Sequence, residues 1–296
     1  MSFTAVVVLH DSDADLARLL ASLTRLPFDE QPQLVVVDTG SQDGGPQRAL
    51  AAGAELIGLP DNPGFGAANN AGVARAKHDV CVLLNPDVEL LDDGLTSLVA
   101  RARAHDALVV PRLLGAGGQV QRSAHPVPGR AAALLPALVP PATLPRALRE
   151  RAEPWRAERP AAVGWAIAAA VAARTETLRR LGPFDPTTFL FFEDLDLCLR
   201  ARADGVPTEL HPDVVLRHAG APATRRHYGG EPHALRARRR RAVVGRQLGR
   251  RALALDDLAQ GLTFATRAAA RLVLRRDAAR ERAQLAALRE ARGHGG

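Results

Sequence analysis

The chain is predicted to be an α/β protein with a mostly parallel sheet, followed by a helical C-terminal extension. Three observations carry that expectation. Short apolar runs rich in β-branched residues alternate with helically spaced stretches through the first third of the sequence. Two of these runs lead into aspartates, Asp38 and Asp87, and open α/β sheets bind ligands beyond the carboxyl ends of their strands. From about His233 onward Arg, Ala and Leu dominate with helical spacing.

Each element follows in order. Phe3–Leu9 reads as a buried strand, Asp13–Leu23 as a helix and Gln33–Val37 as a second strand ending in Asp38. Gly45–Ala52 is helical, Ala54–Leu59 a short third strand and Gly66–Ala76 a helix of small residues. Asp79–Leu84 is a fourth strand ending in Asn85-Pro86-Asp87. Leu95–His105 is a helix and Leu108–Pro111 a strand. The stretch 114–160, rich in Pro, Gly, Ala and Arg, is expected to be a loop with short helical pieces, and Val163–Ala173 to join the core. A helix over Glu193–Asp204 stops at Gly205, and two short strands are expected at Thr208–Leu210 and Val214–Leu216.

Length and composition narrow the class. The 296 residues suffice for one large domain or a domain with an extension. A hydrophobic fraction of 47% with 24% charged residues is ordinary for a globular protein and excludes a disordered chain. Two cysteines in apolar patterns, Cys81 and Cys198, make neither a disulfide framework nor a zinc site, so buried reduced thiols in a cytoplasmic protein are expected. The N-terminus runs straight into a strand, with no basic region or cleavage site of a leader. The longest weakly polar run, Ala161 to Ala173, is too short to span a membrane. The net charge is +7, and Arg236, Arg238, Arg239, Arg240, Arg241, Arg246, Arg250 and Arg251 form a basic block. It suits an anionic membrane surface or a solvated helix face. It lacks the interleaved aromatics of a single-strand binder, so no specific nucleic acid is expected.

Four segments carry chemistry. Val37-Asp38-Thr39-Gly40-Ser41-Gln42-Asp43-Gly44 is a polar turn after a strand, either a capped connection or a site where Asp38 holds a nucleotide base or ribose. Asn62-Pro63-Gly64-Phe65-Gly66-Ala67-Ala68-Asn69 has small residues at a helix start, which allow close backbone approach. Asn69 stands where a dinucleotide fingerprint needs its third glycine, so that motif is not matched. Asn85-Pro86-Asp87 ends a strand with an acid. Gly182-Pro183-Phe184-Asp185 leads into Phe191-Phe192-Glu193-Asp194-Leu195-Asp196, three acids in an aromatic context. Acids there also complement a helix N-terminus, and Asp196 with Arg200 is an i,i+4 pair.

In this order and at these spacings, the segments resemble family 2 glycosyltransferases, in particular bacterial rhamnosyltransferase-like members. The resemblance covers residues 3 to about 245. It implies a GT-A-type fold with a glycosyltransferase domain over 1–232, made of a nucleotide-sugar half to about 110 and an acceptor half over 111–232, then a basic helical extension over 233–296. It implies an inverting enzyme that moves a sugar from a nucleotide-diphosphate donor, of the dTDP-rhamnose or UDP-sugar class, to a cell-envelope glycan or lipid-linked acceptor. The same resemblance implies the following roles: a divalent cation, Mg²⁺ or Mn²⁺, is held by Asp87 and His218. Asp194 is the general base, supported by Glu193 and Asp196. Leu9, Asp11, Asp38, Gly64, Phe65, Asn69, Asn85 and Arg225 meet the donor; Trp165 and Phe192 meet the acceptor. On this resemblance the protein is expected in the cytoplasm, with the basic extension resting peripherally on the inner face of the plasma membrane. Two segments depart from the pattern. Leu9-His10-Asp11 replaces Thr-Tyr-Asn, and Gly164-Trp165-Ala166-Ile167-Ala168-Ala169 replaces Asp-Trp-x-Ser-Gly-Ala. A catalytically degenerate binding or scaffold protein of the same fold is the alternative.

Overall fold

The computed structural model describes residues 2–26, 31–139, 141–186, 188–220 and 229–293. Its centre is a nine-stranded sheet. Strand β1 (Thr4–Leu9) runs parallel to both β2 (Gln33–Asp38) and β4 (Val80–Leu84), and β2 runs parallel to β3 (Glu55–Gly58). Helices α1 (Asp13–Thr24), α2 (Gly45–Ala51) and α3 (Phe65–Ala74) are the crossovers. The runs Val6–Leu9, Val35–Val37 and Val82–Leu84 are continuous rather than alternating because helices cover both faces of a parallel sheet.

The order β3-β2-β1-β4 places the reversal of direction between β1 and β4. Their carboxyl ends therefore flank the crevice where such sheets take a ligand. Beyond β4 the sheet becomes mixed. Strand β10 (Ala170–Arg174) lies antiparallel between β4 and β6 (Leu108–Leu114), and β11 (Thr208–His218) returns parallel to β6. Strands β5 (Val88–Leu90) and β8 (Ala161–Val163) pair antiparallel with β11. A two-stranded ribbon joins β7 (Ala124–His125) to β9 (Trp165–Ala166). On one face, α1 and α4 (Gly94–Ala104) cover a core of Phe3, Leu16, Leu19, Val36, Leu95 and Leu98. Helices α7 (Thr175–Leu181) and α8 (Glu193–Ala203) complete this part.

Three differences from expectation have simple causes. The two strands expected around 208–216 are one strand, whose pairing shifts register between His211 and Val215. Pro212 has no N–H to give the ladder, so the strand bulges there and continues. Strand β5 follows the Asn85-Pro86-Asp87 turn at once and is too short for any periodicity to show. Helix α7 was not expected, since the apolar stretch before it masks its start.

The chain forms two compact units: Met1–Ala124 with Trp155–His227, and His125–Pro154 with Tyr228–Gly296. Residues 125–154, read from the sequence as part of an acceptor half, group with the C-terminal helices. The second unit holds two short helices, α5 (Leu135–Leu138) and α6 (Arg146–Ala152), and two long ones, α9 (His233–Val273) and α10 (Ala279–Gly293). Helix α9 breaks at Gly249, whose φ is 81° and ψ 175°. Arg240 pairs with Asp256, sixteen positions later. In a straight helix those residues would be about 24 Å apart, so the chain folds back at Gly249. The pairs Arg271–Glu281 and Arg292–Asp257 likewise make α10 antiparallel to the second half of α9. Among the described residues no helix is long and apolar enough to cross a membrane.

Candidate active site

Four segments of the first unit build the site. The loops after β1 and β2 are tied together. Thr39 donates to the Leu9 carbonyl from both its N–H (3.0 Å) and its hydroxyl (2.8 Å). The Asp11 amide donates to Ser41 Oγ at 3.0 Å, and Asp11 Oδ1 accepts from the Gln42 amide at 2.7 Å. Asp38 Oδ1 accepts from the Ser41 amide at 3.2 Å. Asp11 takes a left-handed conformation, φ 47°. These two loops carry Asp11 and Asp38 to the carboxyl edge of the sheet. Leu9, expected at the donor, is placed otherwise: its side chain is in the core and its carbonyl is held by Thr39.

The glycine segment makes a joint with the loop before α8. At Gly64 φ is 95°, and a Cβ there would sit 2.4 Å from the Phe189 carbonyl oxygen. The Phe65 amide donates to that same oxygen at 3.1 Å, and the Phe65 ring meets Phe184 edge-on with centroids 5.8 Å apart. Asn69 Nδ2 donates to the Phe65 carbonyl at 2.9 Å from a buried position. In the structure Gly64, Phe65 and Asn69 thus serve contacts within the chain. Asn70, which the sequence reading passed over, clamps the Phe184 backbone. Its Nδ2 donates to the Phe184 carbonyl at 2.8 Å and its Oδ1 accepts from the Phe184 amide at 2.9 Å. Its place directly beside Asn69 in the motif was the signal available.

The third segment is the acid corner. Pairing of β5 with β11 sets Val88 opposite His218, so Asp87 and His218 become neighbours. His218 Nε2 lies 3.4 Å from Asp87 Oδ1, and both side chains are buried. Gln121 fixes the imidazole. Its Nε2 donates to the His218 carbonyl at 2.7 Å, which turns its Oε1 toward His218 Nδ1 at 2.9 Å. Nδ1 therefore carries the proton and donates it to Gln121, leaving a lone pair on Nε2. Burial pushes the His218 pKa below the usual histidine value, against an upward pull from Asp87. A neutral imidazole nitrogen and a carboxylate oxygen face each other, both electron-pair donors. No sequence signal pointed to Gln121, which stands in a Gly-rich loop.

This corner suits a divalent cation. Two donors about 2.1 Å from one octahedral ion sit roughly 3 Å apart, close to the observed separation. His218 Nε2 has no hydrogen-bond partner among the described residues, and neither has the buried Asn85 Oδ1 two residues before Asp87. Among the described residues no three or more His, Cys, Asp or Glu are placed so that together they could hold a metal ion. Further ligands to such an ion would come from water or phosphate oxygens, as Mg²⁺ and Mn²⁺ readily accept.

The fourth segment is the head of α8. Phe191 and Phe192 both adopt left-handed conformations, φ 70° and 64°. Two consecutive bulky residues in that region cost free energy, and such strain gathers at functional sites. The turn presents Glu193, Asp194 and Asp196 in the first turn of α8. Asp194 is half-buried and its Oδ1 accepts from the Leu195 amide at 2.7 Å. Asp196 is fully buried and pairs with Arg200 at 2.7 Å. Arg200 also donates to the carbonyls of Leu181 and, at 2.8 Å, Pro183. Asp196 is thus tied through Arg200 to the turn after α7. Trp165 lies against Phe192, centroids 6.0 Å apart. Arg225, expected at the diphosphate, lies outside the described residues.

Comparison with known proteins bears on this site. Residues 4–155 match the model of glycosyl transferase family 2. The chain is 29% identical over 241 residues to an N-acetylglucosaminyl-diphospho-decaprenol L-rhamnosyltransferase of Mycobacterium tuberculosis, covering 75% of this chain and 77% of that one. In fold it is similar to a mannosyltransferase from Pyrobaculum calidifontis solved with GDP-Man and Mn²⁺, with TM-score 0.59, 15% identity and coverage of 98% and 85%. It is also similar to GalNAc-T7 solved with UDP, GalNAc and Mn²⁺, with TM-score 0.58 and 17% identity. That match covers 74% of this chain but spans only 43% of GalNAc-T7.

Proposed function

The chain belongs to glycosyl transferase family 2, and we propose that it is an inverting, divalent-metal-dependent enzyme that acts on a lipid-linked envelope acceptor. The observation that carries this reading is the buried pairing of Asp87 with the lone-pair nitrogen of His218 at 3.4 Å. A cation bound there would neutralise charge on the departing diphosphate. Asp11 and Asp38 accept hydrogen bonds from the nucleoside. Asp194 takes the proton from the acceptor hydroxyl as its oxygen forms the new bond to the anomeric carbon. The bond from that carbon to the diphosphate breaks on the opposite face, so the configuration inverts. Glu193 and the Asp196–Arg200 pair hold the head of α8, and Trp165 with Phe192 offers the acceptor sugar an apolar wall.

The donor class is dTDP-rhamnose or a UDP-sugar, and the acceptor carries a lipid diphosphate. The mycobacterial relative, named for rhamnosyl transfer to such a molecule, supports both readings. The work is done at the inner face of the plasma membrane. A thermal-shift titration against nucleotide-diphosphate sugars, with and without Mg²⁺ or Mn²⁺, tests the donor and the metal together. A ligand that binds only the folded state raises the melting temperature. A metal-dependent rise with one donor class is expected; no rise with any donor favours the degenerate scaffold. Asp194→Asn should lower kcat about 10²- to 10⁴-fold at unchanged melting temperature. Full turnover in that variant removes the base assignment.

A further inference from the structure

We propose that the turn between α9 and α10 is a membrane-docking tip that inserts Leu272, Val273 and Leu274 into an anionic lipid surface. This deepens the reading of a lipid-linked acceptor and rests on it for the choice of a bilayer. The geometry is independent of it. Leu272, Val273 and Leu274 are 50%, 82% and 63% exposed, three consecutive large aliphatic side chains. Successive residues at a helix end are rotated by about 100°, so three in a row cover more of the circumference than one antiparallel neighbour can bury. Elsewhere along this hairpin the α9 and α10 faces do bury residues, among them Ala268, Ala287 and Leu288. The tip is where that packing stops.

The surroundings are basic. Arg275, Arg276 and Arg282 are exposed beside the tip. Of the nearby acids, Glu281 pairs with Arg271, and Asp277, whose Oδ1 accepts from the Ala279 amide at 2.9 Å, is outnumbered by the three arginines. An apolar point rimmed by arginines fits the boundary between acyl chains and anionic headgroups. A second copy of the chain is a poorer occupant, because a two-fold contact through this tip would bring the same arginines together. The arginine block over 236–251 is a weaker candidate than its composition suggests. Arg238, Arg240 and Arg241 are ion-paired to Glu290, Asp256 and Asp257 inside the unit.

The experiment uses the full chain and vesicles of phosphatidylglycerol mixed with phosphatidylcholine, with pure phosphatidylcholine as reference. Replacing Leu272, Val273 and Leu274 together by Ser should lower partitioning to the anionic vesicles about ten-fold. Arg275→Gln with Arg276→Gln should weaken it and flatten its dependence on salt. A polarity-sensitive dye on Val273→Cys should shift to the blue with anionic vesicles only. Such labelling is selective, since Cys81 and Cys198 are buried with thiol pKa values pushed up to about 12 and about 11. The proposal fails if the wild type ignores the vesicles, or if the tip variants bind as well as wild type does. A dye shift that depends on protein concentration without lipid would instead assign the tip to a second copy. Donor-induced thermal shifts should be the same in wild type and tip variants, so failure here leaves the transferase reading standing, and the converse.

Discussion

Gln121 decides which nitrogen of His218 is available. With its amide fixed by the His218 carbonyl, its oxygen can only accept from Nδ1–H, and Nε2 is left to face Asp87. Partners of this kind orient a metal-ligating imidazole and raise its basicity. Gln121→Ala should therefore weaken Mn²⁺-dependent donor binding about 10- to 100-fold, read from the metal titration of the thermal shift. An unchanged metal affinity would refute the tautomer assigned here. The three acids of α8 divide at the same scale. Asp196 is fully buried and ion-paired, whereas Asp194 is half-buried, so only Asp194 combines partial exposure with a position at the strained turn.

At the scale of elements, the joint between α3 and the loop before α8 determines where the acids stand. Gly64 and Gly53 both have positive φ, 95° and 75°, yet only Gly64 is crowded: Phe189 atoms lie within 3 Å of where its Cβ would be, and nothing lies within 4 Å at Gly53. At Gly64 ψ is 165°, a backbone region essentially confined to glycine, so alanine there costs about 1–3 kcal/mol, and the overpacking adds about 1–3 kcal/mol more. Gly64→Ala should lower the melting temperature well beyond Gly53→Ala, and should depress turnover because the α8 head is displaced. Equal melting of the two variants would mean that the loop simply moves away. The motif around Gly64 was legible as a close-approach segment. That its partner is Phe189, more than a hundred residues away, could not be read from local pattern.

At the scale of the molecule, the second unit is held by buried ion pairs. Asp256 accepts from Arg240 Nε and Nη2 at 2.8 and 2.7 Å and from Gln260 at 2.8 Å, across the break at Gly249. Removing one partner of a buried pair leaves an uncompensated charge and costs about 3–5 kcal/mol. Asp256→Asn should lower the unfolding transition of the C-terminal helices in calorimetry while leaving donor-induced stabilisation of the first unit intact. Loss of donor binding in that variant would show that the two units do not unfold separately.

The amino-acid sequence by itself determined the family, the α/β class and the parallel half of the sheet, and it pointed to the four segments proposed as the site. Those features rest on local pattern: apolar runs buried on both faces, turn residues at strand ends, acids at a helix start. Only the tertiary structure decided what depends on residues far apart in sequence. The contact by which Asp87 meets His218 comes from the pairing of β5 with β11, and Asn70 holds Phe184 where α3 meets the loop before α8. Leu9 turned inward for the same reason: its face of β1 packs on the core. Half of the arginine block's meaning also lay in the fold. Charges that look free along a helix are neutralised once the chain turns back at Gly249, and the exposed apolar tip becomes visible only when its neighbours have been paired.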